Sequence, residues 1–196
     1  MRIGYYVQGA ADEAFVRGLR KRWCPNVELA EGRFRGESKE SFRREISKAL
    51  IGLRDGKCCD VLIVLTDADK NPWKEVKRRE WKTVPAECRH ITAFGVADRN
   101  IESWLSIDRK DLARELGCKP DEIPPGDPSG FVKGRFGLGE RDVRREEAKK
   151  RVEDFVARVP MKSWIENSDS FKDFYERVRD LSIQNKCALP NDMERL

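Results

Sequence analysis

The sequence predicts an α/β fold: a compact parallel sheet of about four strands with flanking helices, followed by a helical C-terminal extension. Three observations predict it. Short β-rich runs alternate with helical patterns through the first half of the chain, which is the signature of a parallel sheet with right-handed crossovers. One run, Val61-Leu62-Ile63-Val64-Leu65, is apolar without alternation, as in a strand buried on both faces. The second half lacks strand-like runs and returns to helical patterns.

Ile3 to Val7 is bounded by Gly9 and reads as the first strand. Ala11 to Arg22 follows as a helix, with Phe15, Val16 and Leu19 on one face. Val27 to Ala30 reads as a second strand. Lys39 to Arg54 is an amphipathic helix, because Phe42, Ile46, Ala49, Leu50 and Leu53 keep the 3.6-residue period, and Gly56 ends it. Asp60 to Thr66 is the third strand and Pro72 to Arg79 a short basic helix. Arg89 to Ala97 carries Ile91, Ala93, Phe94 and Val96 and reads as the fourth strand. Asn100 opens a helix through Ile107. Gly117 to Glu140, with Pro120, Pro124, Pro125, Pro128 and six glycines, reads as a long loop. Helical spacing returns over Val143 to Val159 and over Phe171 to Leu181. Ser170-Phe171-Lys172-Asp173 has the form of a capping box for the last helix. The division is an α/β core over 1–116 and a loop-and-helix extension over 117–196, packed on that core.

The 196 residues are 38% charged and 39% apolar, which supports one modest core under a charged surface. The net charge of +5 and pI near 8.9 are informative only where basic residues cluster. Six cysteines without a C-x-x-C pair, and one histidine, argue against zinc. A chain of this length without a signal peptide is expected to keep its thiols free of a disulfide framework. No run reaches transmembrane length. The expectation is a reduced, cytoplasmic protein with no membrane association.

The candidate chemistry sits at strand exits. Asp67-Ala68-Asp69 closes the buried third strand, and carboxylates at i and i+2 of a strand share one side. That edge is where open α/β sheets bind ligands. Two close carboxylates repel unless a cation holds them, so the pair points to Mg²⁺ or Mn²⁺; the alternative for Asp67 is a turn former. Gln8-Gly9-Ala10-Ala11-Asp12 leaves the first strand, and Asp12 is either a site acid or a first-turn acid of the helix. The fourth strand ends in Asp98-Arg99-Asn100-Ile101-Glu102, with Glu102 placed to point back at the same edge. Arg99 would bind phosphate or pair with Asp98.

Lys70, Lys74, Lys77, Arg78, Arg79 and Lys82 follow the acidic pair and form one candidate nucleic-acid face, with Trp73 and Trp81 interleaved as stacking residues. Lys133, Arg135, Arg141, Arg144, Arg145, Lys149, Lys150 and Arg151 form a second basic set. Glu75, Glu80, Glu146 and Glu147 dilute both, and an ordinary solvated surface is the alternative for each. Gly134 to Gly139 lacks phosphate-loop spacing and reads as a flexible loop. His90 reads as a strand-edge residue, distant from any nucleophile.

Gln8-Gly9-x-x-Asp12 resembles the E-G-x-x-D/E motif of the TOPRIM fold, and Asp67-Ala68-Asp69 resembles its D-x-D motif. Ile101-Glu102-Ser103-Trp104-Leu105-Ser106-Ile107-Asp108 resembles the E-x-W-L-x-x-D signature of a TOPRIM-like family of prokaryotic proteins. Those are similar to the nuclease half of OLD-family proteins and to RloB-like defence proteins. The resemblance covers most of the chain. It implies a four-stranded parallel sheet and Mg²⁺-dependent phosphodiester cleavage in nucleic acid, with phage defence as its setting. It implies that Asp67, Asp69 and Asp12 hold metal, that Glu102 completes the site, and that Gln8 stands where the family has glutamate. Glutamine neither acts as a general base nor offers full charge to a cation. A catalytically degenerate module that binds nucleic acid or a partner protein is therefore the rival expectation, with an unrelated PIN-type acidic nuclease as a third. OLD-type nucleases work with an ATPase; this sequence has no Walker A loop, so any such ATPase is expected to be a separate protein.

Overall fold

The computed structural model describes residues 1–32, 38–139 and 143–187. Its strands are β1 (Arg2–Tyr6), β2 (Glu28–Glu31), β3 (Val61–Asp67) and β4 (Thr92–Ala97). They form one parallel sheet in the order β2-β1-β3-β4, with Ile3 opposite Val61 and Asp67 opposite Ala97. The helices are α1 (Ala10–Trp23), α2 (Lys39–Ile51), α3 (Trp73–Glu80), α4 (Ile101–Leu105), α5 (Arg109–Leu116), α6 (Ser129–Phe136), α7 (Val143–Arg158), α8 (Met161–Asn167) and α9 (Asp169–Gln184). The α/β class, the four-stranded parallel sheet and the helical C-terminal region are as the sequence predicts.

Alternation along the strands divides the core into two layers. Ile3, Tyr5, Ile63, Leu65 and Ala93 face α1, α7 and α9. Tyr6, Leu62, Val64, Phe94 and Val96 face α2 and α3. Both faces are covered, so Val61 through Thr66 are all buried, and that explains an apolar run with no polar alternation. Residues of α7 and α9 share one continuous core with β1, β3 and α1. Helix α1 packs directly on α7. At Gly18 a Cβ would lie 2.6 Å from the Glu153 carbonyl oxygen, so only glycine fits there.

Several boundaries differ from expectation, each for a local reason. Arg89 to Ile91 belong to a 3₁₀ turn (Ala86–Ile91), and β4 begins only at Thr92. The Thr92 hydroxyl donates to the Cys88 carbonyl at 2.7 Å and closes that turn. The expected loop over 117–139 contains α6 instead. Val132 and Phe136, one turn apart, are both buried, and Gly137 ends the helix with φ of 85°. Glu140 and Arg141 lie outside the described residues. Two short helices went unpredicted, α5 and α8. Asp108 caps α5 by accepting from the Lys110 and Asp111 amides, and Gly117 closes it in the left-handed region. The cap of α9 is Ser168, whose hydroxyl oxygen accepts from the Phe171 amide at 3.2 Å. Ser170, expected in that role, is buried, and its hydroxyl oxygen accepts from Trp104 Nε1 at 2.9 Å.

One covalent bond corrects the expectation of free thiols: Cys24, at the end of α1, is joined to Cys187, after α9. The two lie 163 positions apart in sequence, yet Trp23 packs edge-on against Tyr175 of α9, with ring centroids 5.2 Å apart. Among the described residues, no helix is long and apolar enough to cross a membrane.

The open edge of β4 is covered by side chains. Arg177 of α9 donates to the carbonyls of Thr92, Arg89 and His90. Lys77 of α3 pairs with Asp173 of α9 across that edge. Such capping blunts an edge that would otherwise template another strand.

Candidate acidic site at the sheet edge

The chain leaves β1, β3 and β4 side by side at one end of the sheet. From β1 the chain turns to pair with β2 on one side, while β3 lies on the other. The gap between β1 and β3 is therefore the topological switch point, where α/β sheets form a crevice. Asp12, Asp67 and Glu102 each come from one of these three exits.

Asp12 stands in the first turn of α1. Its carboxylate accepts from the Gly9 amide at 2.7 Å, satisfying a donor that the helix leaves free. The helical role expected for it is thus real, yet the group is also nearly buried. Burial raises its proton affinity well above the usual carboxylate range, and the charges of Asp67 and Glu102 push in the same direction. The Gly9 amide and Lys133 pull against them.

Asp67 ends β3, opposite Ala97. Burial pushes its pKa up to about 6. The nearby Lys39 ammonium opposes that rise, while Glu102 and Asp69 add to it. Glu102 lies in the first turn of α4, which Asn100 caps by accepting from the Ser103 amide at 3.0 Å. Glu102 as a residue is 1% exposed. It accepts from the Ser129 hydroxyl at 3.3 Å and stands 3.4 Å from Lys133 Nζ.

Asp69 is not aligned with Asp67 on a strand, contrary to the expected i, i+2 geometry. The strand ends at Asp67, Ala68 turns inward and is buried, and Asp69 takes a left-handed conformation with φ of 56°. Its amide donates to the Arg99 carbonyl at 2.8 Å, and Arg99 is itself left-handed. The Asp69 carboxylate pairs with Lys39, from the first turn of α2. Gln8 lies half-buried in the turn between β1 and α1, at the same edge.

The cations divide into held and free. Arg99 donates to the Gly126 carbonyl at 3.2 Å, tying the segment before α6 to the edge rather than pairing with Asp98. Lys77 is taken by Asp173. Lys149 pairs with Glu13 and Glu146, Arg135 with Glu122, and Arg151 lies over the Phe136 ring. Lys70, Lys74 and Arg78 are exposed and enter no ion pair among the described residues. Lys39 and Lys133 belong to the site, and sequence reasoning did not place them there. Neither is near in sequence to the site acid it meets, 30 positions away for Lys39 and Asp69, so no spacing signals it.

The donor set is oxygen only and carries more negative than positive charge, the chemistry of a hard divalent cation. The placement is not a ready cage. Among the described residues, no group of three or more His, Cys, Asp or Glu side chains is gathered to hold a metal ion. Lys39 and Lys133 occupy Asp69 and Glu102 instead. Comparison with protein-family models, with curated proteins and with solved structures gives no match for this chain.

Proposed function

We propose that this chain is a TOPRIM-like protein that binds Mg²⁺ or Mn²⁺ at its acidic sheet edge and cleaves phosphodiester bonds in nucleic acid, in the cytoplasm and in defence against phage. One observation carries the reading: Asp12, Asp67 and Glu102 converge from three adjacent strand exits, Asp12 and Glu102 are buried, and the neighbouring acids raise the proton affinity of Asp12 and Asp67. Four acids at this edge, Asp12, Asp67, Asp69 and Glu102, face two lysines, Lys39 and Lys133, and a divalent cation would relieve the repulsion that remains between the acids. Asp67, with Asp12 and Asp69, would hold the ion, and a bound Mg²⁺ would neutralise phosphate charge and acidify a water. The chain's own contribution is position. The Gly9 amide orients Asp12, Asn100 fixes the helix that carries Glu102, and the exposed Lys70 stands beside Asp69 to meet phosphate.

Gln8 favours a second reading, a module that binds nucleic acid or a separate ATPase partner without cutting. The test is a nuclease assay with Mg²⁺ or Mn²⁺ on wild type, Asp67→Ala and Asp69→Ala. Cleavage by wild type and loss of at least a hundredfold in Asp67→Ala is the expected result. Equal activity in all three removes the site. Cleavage by Gln8→Glu alone establishes the non-cutting module.

A further inference from the structure

The edge of β4 carries a second feature, separate from the acidic cluster. Between α3 and α9 runs a groove of about 660 Å³, with Thr92 and Phe94 at its floor. Trp73 and Trp81 stand at either end of α3, about 12 Å apart along the helix axis, and both are half-buried. Trp81 meets Phe94 edge-on at 6.2 Å, which fixes its ring. Lys74 lies over the Trp73 ring, 5.5 Å from its centroid. Lys74 and Arg78, one helical turn apart, both line the groove, and neither has an ion-pair partner among the described residues. Lys77 and Arg177 are already occupied by Asp173 and by the β4-edge carbonyls, and Glu176 and Asp180 of the α9 wall also line the groove, so the cationic side is the α3 wall.

We propose that this groove binds single-stranded nucleic acid, with Trp73 and Trp81 as stacking platforms and Lys74 and Arg78 on the phosphates. The inference rests on the nucleic-acid reading above and names its substrate as unpaired. Two aromatic rings beside Lys74 and Arg78, cations on one helix with no carboxylate partner among the described residues, match a chain of alternating bases and phosphates. Only an unpaired base offers its face to a ring, because a duplex buries those faces in its own stack. The Lys77–Asp173 bridge spans the groove and closes the β4 edge to an added peptide strand. Trp73 follows Asp69 by four positions and lines a polar cleft with Asp98 at the exit of β4.

The remaining tryptophans, Trp23, Trp104 and Trp164, are buried, so quenching of intrinsic fluorescence reports on the groove. The experiment titrates the full chain, in EDTA, with twelve-nucleotide oligo(dT), oligo(U) and a matched duplex. Expected are quenching by the single strands and duplex affinity at least tenfold weaker. Trp73→Ala is expected to lower single-strand affinity roughly 5- to 150-fold, the usual range for one lost base stack. Trp73→Phe, which keeps a ring, is expected to retain most of it. Lys74→Ala and Arg78→Ala are each expected to flatten the salt slope by about 0.7. Duplex binding as tight as single-strand binding overturns the proposal, as does affinity indifferent to Trp73→Ala. Quenching by a mixed-charge peptide but by no oligonucleotide also overturns it. Wild type and Trp73→Ala separate the two readings: single-strand binding by wild type without any cleavage refutes the nuclease alone, whereas wild-type cleavage that Trp73→Ala leaves unchanged refutes the groove alone.

Discussion

Replacing Asp67 with asparagine tests the electrostatics of the acidic edge through stability rather than activity. In the folded chain burial lifts the Asp67 pKa to about 6 from an ordinary 3.8. The folded state therefore holds its proton more tightly than the unfolded state does. Between those two values the folded state binds more protons, so stability falls as pH rises through that window and levels off above it. At roughly 1.4 kcal/mol per pH unit, the cost of the ionised group at pH 7 is about 3 kcal/mol. Asp12, shifted in the same direction, adds to the fall. Asparagine keeps the shape and removes the charge. Asp67→Asn is therefore expected to be more stable than wild type at pH 7, by up to about 3 kcal/mol, and equal to it near pH 4. Urea unfolding in EDTA at half-unit steps from pH 4 to 8 measures both curves. A wild-type curve that is flat or rising from pH 4 to 6 refutes the reasoning. So does a variant less stable at pH 7 with the wild-type pH dependence.

Two further predictions concern the scaffold. Gly18→Ala pushes a methyl group against the Glu153 carbonyl and Val156 Cβ, each 2.6 Å away, so α7 must shift from α1. A loss of about 1–3 kcal/mol in thermal unfolding is expected, and an unchanged Tm would contradict the packing. The Cys24–Cys187 bond closes a loop across a separation of 163 positions, and denatured-chain entropy assigns it up to about 5 kcal/mol. Cys24→Ser, or reduction of wild type, is expected to lower the urea midpoint strongly, with non-reducing mass spectrometry checking the bond. Identical midpoints with and without reductant would mean that the thiols are free in solution.

The acidic edge was partly legible in advance. An apolar run without alternation announces a strand buried on both faces, and its end announces the sheet edge, so Asp67 was located from composition alone. Gly9 followed by an acid three positions on likewise marks the start of α1. Asp69 was misjudged because strand alternation was extended past the end of the strand, into a left-handed turn that no spacing reveals. The segment over 117–139 was misjudged because glycine and proline content outweighed the Val132/Phe136 pair, which becomes helical only once both side chains are buried. The capping box at Ser170 failed for a similar reason. The same serine–phenylalanine pattern serves a cap or a buried hydrogen bond, and the position of Trp104 decides which.

The sequence by itself determined the layers: which segments are strands, that the sheet is parallel, and that several acids stand at strand exits. Those are properties of local periodicity, which each segment carries in its own residues. Tertiary structure alone decided what the acids meet. Lys39 reaches Asp69 from α2, Lys133 reaches Glu102 from α6, and Trp73 faces the wall that α9 supplies. Charge pairing and burial depend on distances between segments remote in sequence, and the folded packing is what sets those distances.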